Sequence, residues 1–324
     1  MRLLRLVPAR PNLEVIGKRK IALVFSAILV LASLVLAVVP GLNFGIDFRG
    51  GTVIEIRTEG PADIAELRSQ MAGLGLGDVS LQRFGSDTDV LIRIQKQPGE
   101  DQSAVIKQVQ QRLGDGIEYR RTEFVGPTVG EELKEAGFIA VVVSLFAIFV
   151  YIWFRFEWQF SVGAIVALTH DVLATVGLFA LTGMEFNLAT VAAVLTIAGY
   201  SINDTVVVYD RVRENLRRYK TKAMTDLLNQ SINETLSRTV MTSFTTLLAL
   251  TALAVFGGEV IRGFSIALIW GVVIGTYSSV YIAVPALLWT NVKPVGVAGG
   301  AGGTGGDADP ADQGDDDGSL PART

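Results

Sequence analysis

No cysteine occurs in this 324-residue chain, and histidine occurs once. The first absence excludes disulfides, thiolate metal sites and a cysteine nucleophile. The second leaves no histidine cluster for a zinc centre, so no metal and no cofactor is expected. The H-E-x-x-H pattern of metalloproteases is missing as well, and the chain is not expected to be an enzyme or to hold a catalytic residue. Charge of one sign is also scarce. Lysine and arginine number 28 against 32 acids, a formal net charge of -4, and no half is basic enough to suggest nucleic acid.

Apolar sequence, by contrast, is abundant. Half of the residues are hydrophobic and mean hydropathy is +0.42, with the excess gathered in blocks. A spanning helix needs about 20 mostly apolar residues. Six blocks qualify, at 21–39, 138–154, 160–181, 188–209, 240–256 and 264–288. The first ends VLAVVPGLNFG after a twenty-residue lead, without the small-x-small site of a cleaved signal peptide. Basic residues concentrate in the lead, 1–20 (Arg2, Arg5, Arg10, Lys18, Arg19, Lys20), and in a segment at about 210–237 (Arg211, Arg213, Arg217, Arg218, Lys220, Lys222). The positive-inside rule then places both termini in the cytoplasm and 41–136 outside. The expectation is a multi-pass inner-membrane protein, with helices two to six in 137–290.

The segment 41–136 reads as a small α+β unit. TVIEIRT, DVSLQRF, DVLIRIQ and IEYRRTEFV alternate as strands, with GSDT as the turn between the second and third. ADIAELRSQMAGL and AVIKQVQQRL have helical spacing and end in glycines. The order β-α-β-β-α-β predicts a ferredoxin-like, split βαβ domain. One sheet face would be covered by the two helices; the other would take a partner or pack on a neighbouring domain. The tail, 291–324, is rich in glycine and aspartate and is expected to be a disordered, solvated acidic segment. Its spacing lacks the glutamate of an EF-hand calcium loop.

Polar groups within the apolar blocks are the candidates for chemistry. A carboxylate at mid-bilayer costs roughly 2.5–3.5 kcal/mol on insertion scales, so each one needs a reason. Asp204 shares a helix face with Tyr200 and Ser201, next to Asn203. Ser231-Ile-Asn-Glu234 matches a capping box and predicts the start of helix five, which then carries Arg238, Thr242 and Thr245/Thr246 on one stripe. Arg238 would reach Asp204, and displacing it or admitting water would switch the carboxylate between binding and releasing a cation. The alternative is a static ion pair that fixes helix register. His170 and Asp171 in helix three form a second candidate, as part of the relay or as a clamp between helices. Gly271 and Gly275 in helix six have G-x-x-x-G spacing for close packing. In GIDFRGG, Gly45, Gly50 and Gly51 permit tight turns, and Asp47 and Arg49 would tie that hinge to the bundle.

GIDFRGG (45–51), ALTHD (167–171), GYSINDTVVVYDRVREN (199–215), SRTVMTSFTTL (237–247) and GFSIALIWGVVIGTYSSVYIA (263–283) together resemble the SecF family. The resemblance covers residues 18–290. It implies the smaller membrane subunit of the SecD–SecF complex, which has an RND-like plan. It further implies SecD and the SecYEG translocon as partners, and unfolded preprotein as the substrate drawn outward. The driving force implied is a gradient of H+, possibly Na+. By the same resemblance, Asp204 and Arg238 match the helix-four aspartate and helix-five arginine regarded as essential for coupling. Two rival readings are a passive scaffold of the translocon and half of a small-molecule exporter; the latter is disfavoured by the single small outer domain.

Overall fold

The computed structural model describes residues 12–76, 79–94, 102–114, 116–290 and 292. The acidic tail and most of the basic lead fall outside them. A short 3-10 turn, Ile16–Lys18, opens the first long helix, α1 (Arg19–Leu36). A four-residue helix, α2 (Ile46–Arg49), then leads into β1 (Gly51–Thr58), α3 (Ile64–Ala72), β2 (Val79–Phe84), β3 (Ser86–Ile94), α4 (Gln102–Leu113) and β4 (Ile117–Val125). The other long helices follow: α5 (Pro127–Arg155), α6 (Trp158–Thr182), α7 (Leu188–Arg218), α8 (Met224–Phe256) and α9 (Glu259–Ser278). A π-helical turn, Ser279–Ala283, prolongs the last of these to α10 (Val284–Ala286). Among the described residues, six helices are long and apolar enough to cross a membrane, and the chain is a multi-pass membrane protein.

Several helix boundaries differ from the sequence reading. Pro127 starts α5 at its first turn, where a missing N–H costs nothing, so the helix begins well before 138. The helix α7 is capped by Asn187 and Thr190 in a reciprocal capping box and continues past Tyr209 to Arg218. The capping box read at Ser231 is not a helix start. Helix α8 begins at Met224, and Ser231 lies inside it, donating to Leu227 O at 2.8 Å and accepting from Asn215 Nδ2 at 2.9 Å. The reason is tertiary: Leu227, Leu228 and Ile232 are buried against Val212 and Leu216 of α7, which extends the helix upstream of the motif. The basic segment expected at 210–237 is thus mostly helix, with only 219–223 between α7 and α8.

The six long helices form two layers. In α6, α7 and the span containing α9, 61%, 50% and 61% of the most apolar window is buried within the chain; for α1, α5 and α8 the shares are 17%, 11% and 11%. The inner trio buries Ser161, His170, Asp171, Ser201, Asp204 and Ser278. The outer trio turns Phe25, Leu31, Phe138, Phe146, Phe244 and Leu248 outward, as lipid or a second membrane subunit would require.

The strands form one antiparallel sheet in the order β2-β3-β1-β4. Its register sets Ile54 opposite Ile92 and Ile56 opposite Val90. These side chains, with Leu81, pack against Leu67 and Met71 of α3 and Val105 and Val109 of α4. The turn read as GSDT is tighter than that: Gly85 alone, at φ +76°, separates β2 from β3. The helix-free face carries Glu55, Leu91, Arg93 and Arg121 and lines a cleft of about 550 Å3 with Asn43, Glu185 and Asn187 at one end of the helix bundle.

Candidate functional site

The sheet unit is fastened to the bundle at the GIDFRGG stretch. Here α2 stands between the first long helix and β1, where the sequence reading had only a turn. Gly50 and Gly51, at φ +72° and +137°, take the chain from α2 into β1 through backbone that other residues rarely adopt. Gly45 donates to Phe186 O at 2.9 Å, and a side chain there would collide with Glu185. Asp47 accepts from Leu188 N, the first residue of α7, at 2.9 Å, a favourable place for a carboxylate at a helix N-terminus. Arg49 is exposed and has no side-chain partner among the described residues. Arg93 of β3 completes the attachment by pairing with Glu185 before α7. Both carboxylates act on the segment that starts α7.

Midway along the inner trio, Asp171 is a polar node. It is fully buried, and its Oδ2 accepts from Ser201 Oγ of α7 and Ser278 Oγ of α9, each at 2.7 Å. His170 Nδ1 stands 3.0 Å from Oδ1; with a carboxylate there, that ring nitrogen carries the proton. One turn on, the hydroxyls of Thr205 and Ser279 meet at 2.8 Å. The opposite ring nitrogen of His170 is buried without a partner. The ring lies 6.1 Å from that of Tyr277, which donates to Ala22 O of α1. Close approach of α9 makes this node possible: a Cβ on Gly271 would overlap Ile197, and one on Gly275 would lie 3.0 Å from Ser201 Cβ.

Asp204 lies one turn beyond Ser201 and is 3% exposed. Unlike Asp171, it has an oxygen, Oδ2, that is buried without a hydrogen-bond partner. The groups that act on it come from α8: Thr242, within hydrogen-bonding reach, and the positive charge of Arg238. Thr242 also approaches the Thr239 and Arg238 carbonyls of its own helix, at 2.9 and 3.1 Å, so its single proton has competing acceptors. Two more buried hydroxyls, Tyr200 Oη and Thr239 Oγ1, lack partners; Tyr200 is one turn from Asp204 and Thr239 is one turn from Thr242. The α7–α8 seam thus concentrates unsatisfied polar atoms that water or a cation would complete.

Arg238 and Asp204 are brought to one seam without direct contact, since no ion pair within 4.0 Å joins them among the described residues. Arg238 is exposed and lines, with Thr235 and Ser237, a cavity of about 1640 Å3 at the bundle end opposite the sheet. Asn203 is exposed and its side chain makes no hydrogen bond among the described residues, so the structure does not bring it to the seam. His170 and Asp171 belong to the neighbouring node. Sequence reasoning missed Ser278 and Thr239 as members of these clusters. The available signal was the recurrence of small hydroxyl residues at helical spacing, 201/205 on α7 and 235/239/242 on α8, with Ser278 and Ser279 at the end of α9.

Comparisons with known proteins bear on this arrangement. A family model described as "Protein export membrane protein SecD/SecF, C-terminal" matches residues 105–293, and another described as "SecD/SecF GG Motif" matches 35–62. The protein translocase subunit SecF of Rickettsia rickettsii is 48% identical over 288 residues, covering 88% of this chain and 94% of that one. Its counterpart in Rickettsia bellii is 47% identical over 295 residues, covering 90% and 97%. Among solved structures, the crystal structure of SecDF, a translocon-associated membrane protein from Thermus thermophilus, superposes with a TM-score of 0.76 at 36% identity. It covers 87% of this chain, which spans 39% of that longer one. A crystal structure of SecDF in a super-membrane-facing form gives 0.65 at 36% identity. The long matches at this identity, and the agreement of the membrane fold, place the chain in the SecD/SecF family of protein-export membrane proteins.

Proposed function

We propose that this chain is the ion-coupled SecF-type subunit of a protein translocase, acting with SecD in late translocation and release of preproteins. The observation that carries the coupling is Asp204: a buried carboxylate with one oxygen unpartnered, beside Arg238 and Thr242. Such a group binds H+ or Na+ without first breaking a satisfied network. A proton enters the carboxylate from one side and leaves it to the other. In between, loss of the negative charge releases Arg238 from attraction, and its return restores it. Asp47 and the Arg93–Glu185 pair provide a mechanical route, because both join the sheet unit to the start of the helix that carries Asp204.

On this reading the sheet unit is a ferredoxin-like domain on the outer side, and the end bearing Arg211, Arg213, Arg217 and Arg218 is cytoplasmic, in accord with the positive-inside rule. The membrane is the bacterial cytoplasmic membrane. SecD meets the exposed outer layer, SecYEG is the channel served, and unfolded preprotein is the cargo. The names of the Rickettsia relatives and of the SecDF structure support the partnership and the export role.

The test is preprotein export into inverted membrane vesicles containing this chain and SecD, begun with ATP and then followed with and without a proton or sodium gradient. Wild type is expected to show a late phase accelerated by one gradient, and Asp204→Asn to lose that acceleration. Equal responses in the two proteins would make the chain a scaffold, and the coupling reading would be abandoned.

A further inference from the structure

The coupling reading uses only Arg238 of the cavity of about 1640 Å3 at the end opposite the sheet. The cavity opens among the ends of α5, α7 and α8 and the lead, and seven cations and five carboxylates line it. Arg155 pairs with Asp210, and Arg211 bridges Glu214 and Glu234, so these two arginines leave one negative charge over, and the lining as a whole stays net positive by two. Arg213, Arg217, Arg218, Lys222 and Arg238 have no carboxylate within 4.0 Å among the described residues, against two carboxylates, Glu14 and Asp226, without a cation. Arg213 Nε is buried and without a hydrogen-bond partner. The surplus of unpaired cations within one concavity selects for an anion.

We infer that the occupant is the chain's own acidic segment, residues 307–317. That stretch, DADPADQGDDD, holds six aspartates, and no lysine or arginine lies between 294 and 322. The last described residue, Val292, is 5% exposed and packs in the cluster formed by Val15, Leu216, Leu227 and Leu228. Each of these lies next to, or within a turn of, a residue lining the cavity. The chain therefore leaves the bundle beside the concavity. About 15 mostly glycine and alanine residues connect Val292 to Asp307, a length of chain that reaches at most ~50 Å. Tethering at that distance gives an effective concentration in the millimolar range, enough for weak multivalent ion pairing to be populated. The tail lies beyond the region that the family model matches, 105–293. In that cavity its carboxylates would pair with cations of the lining, Arg238 among them.

Because the chain has no cysteine, disulfide trapping reads the contact directly. Full-length chain with SecD in membrane vesicles would carry Gly314→Cys with either Ser237→Cys, on the cavity lining, or Trp158→Cys, exposed at the same end and outside the cavity. At ~0.01 M salt, where the Debye length is about 30 Å, the Ser237 pair is expected to cross-link several-fold faster than the Trp158 pair. That preference should vanish when the six aspartates become asparagine, and at ~1 M salt, where the Debye length is about 3 Å. None of these substitutions touches the packed interior. Equal rates for the two pairs, or a preference indifferent to neutralising the aspartates, would overturn the proposal. So would a spin label at Ser237 that is slowed by anionic phospholipid in the tail-neutralised chain and is unaffected by the tail, since a lipid headgroup would then be the occupant.

Discussion

Two aspartates stand on adjacent inner helices, both shielded from solvent, and their surroundings differ in one respect. Asp171 has two serine hydroxyls and a histidine nitrogen on its oxygens, drawn from three points on α6, α7 and α9. Asp204 has an unpartnered oxygen and faces α8, an outer-layer helix, across a seam of incomplete hydroxyls. A saturated buried carboxylate holds helices together, because every change of charge would break several bonds at once. An unsaturated one can change its proton or ion at little structural cost. The proposed coupling therefore belongs to Asp204, and on the same proposal Asp171 is the fixed point against which α7 is held.

This contrast can be broken by experiment. Asp204→Asn should abolish the gradient-dependent part of export, a loss of tenfold or more in the late rate (roughly 1.4 kcal/mol per factor of ten), with little change in thermal unfolding in detergent. Asp171→Ala should do the reverse in kind. Removing the acceptor shared by Ser201 and Ser278 should lower stability by about 2–4 kcal/mol, read as a reduced unfolding temperature; an unchanged temperature would mean the node holds nothing. Gly271→Val should separate α9 from α7 at Ile197, at a cost of about 1–3 kcal/mol, and should weaken the Asp171 node with it; additive effects in the double variant with Asp171→Ala would show the two to be independent.

The attachment of the sheet unit sharpens the same comparison at a distance. Arg93→Gln should cost about 1 kcal/mol or less, yet raise protease cleavage near 59–62 or at the junction with α2, as the domain loosens from α7. Smallest is the effect of acid on the sheet. Two hydrogen bonds from Arg57, at 2.6 and 2.9 Å, hold the Asp89 carboxyl below its usual value. A depressed carboxyl stabilises the fold fully above its ordinary pKa, and that contribution fades as the pH falls through the folded value. Arg57→Gln should therefore lower stability slightly at neutral pH, flatten the acid limb of the unfolding profile, and leave stability below the folded pKa of Asp89 nearly unchanged.

The sequence itself carried much of this. Six apolar blocks were visible because a spanning helix must satisfy its backbone internally over a fixed length. The β-α-β-β-α-β order was visible because alternation and helical spacing differ in period. The edges were less legible. Ser231 carried a correct local signal for a cap, but the contacts of Leu227 and Leu228 with α7 outweighed it and carried the helix back to Met224. The tight turn at Gly85 and the helix at 46–49 were likewise settled by pairing and packing.

For the candidate site, sequence alone determined which residues have chemistry: a carboxylate and an arginine within apolar helices stand out because their desolvation is costly. Tertiary structure decided how each is used. It gave Asp171 its serines and left Asp204 an oxygen without a partner. It also set Arg238 at the edge of a cavity, and turned Asn203 to the surface. The physical reason is that hydrogen-bond satisfaction is a property of neighbours on other helices, and helical spacing within one segment cannot specify how closely the next helix approaches.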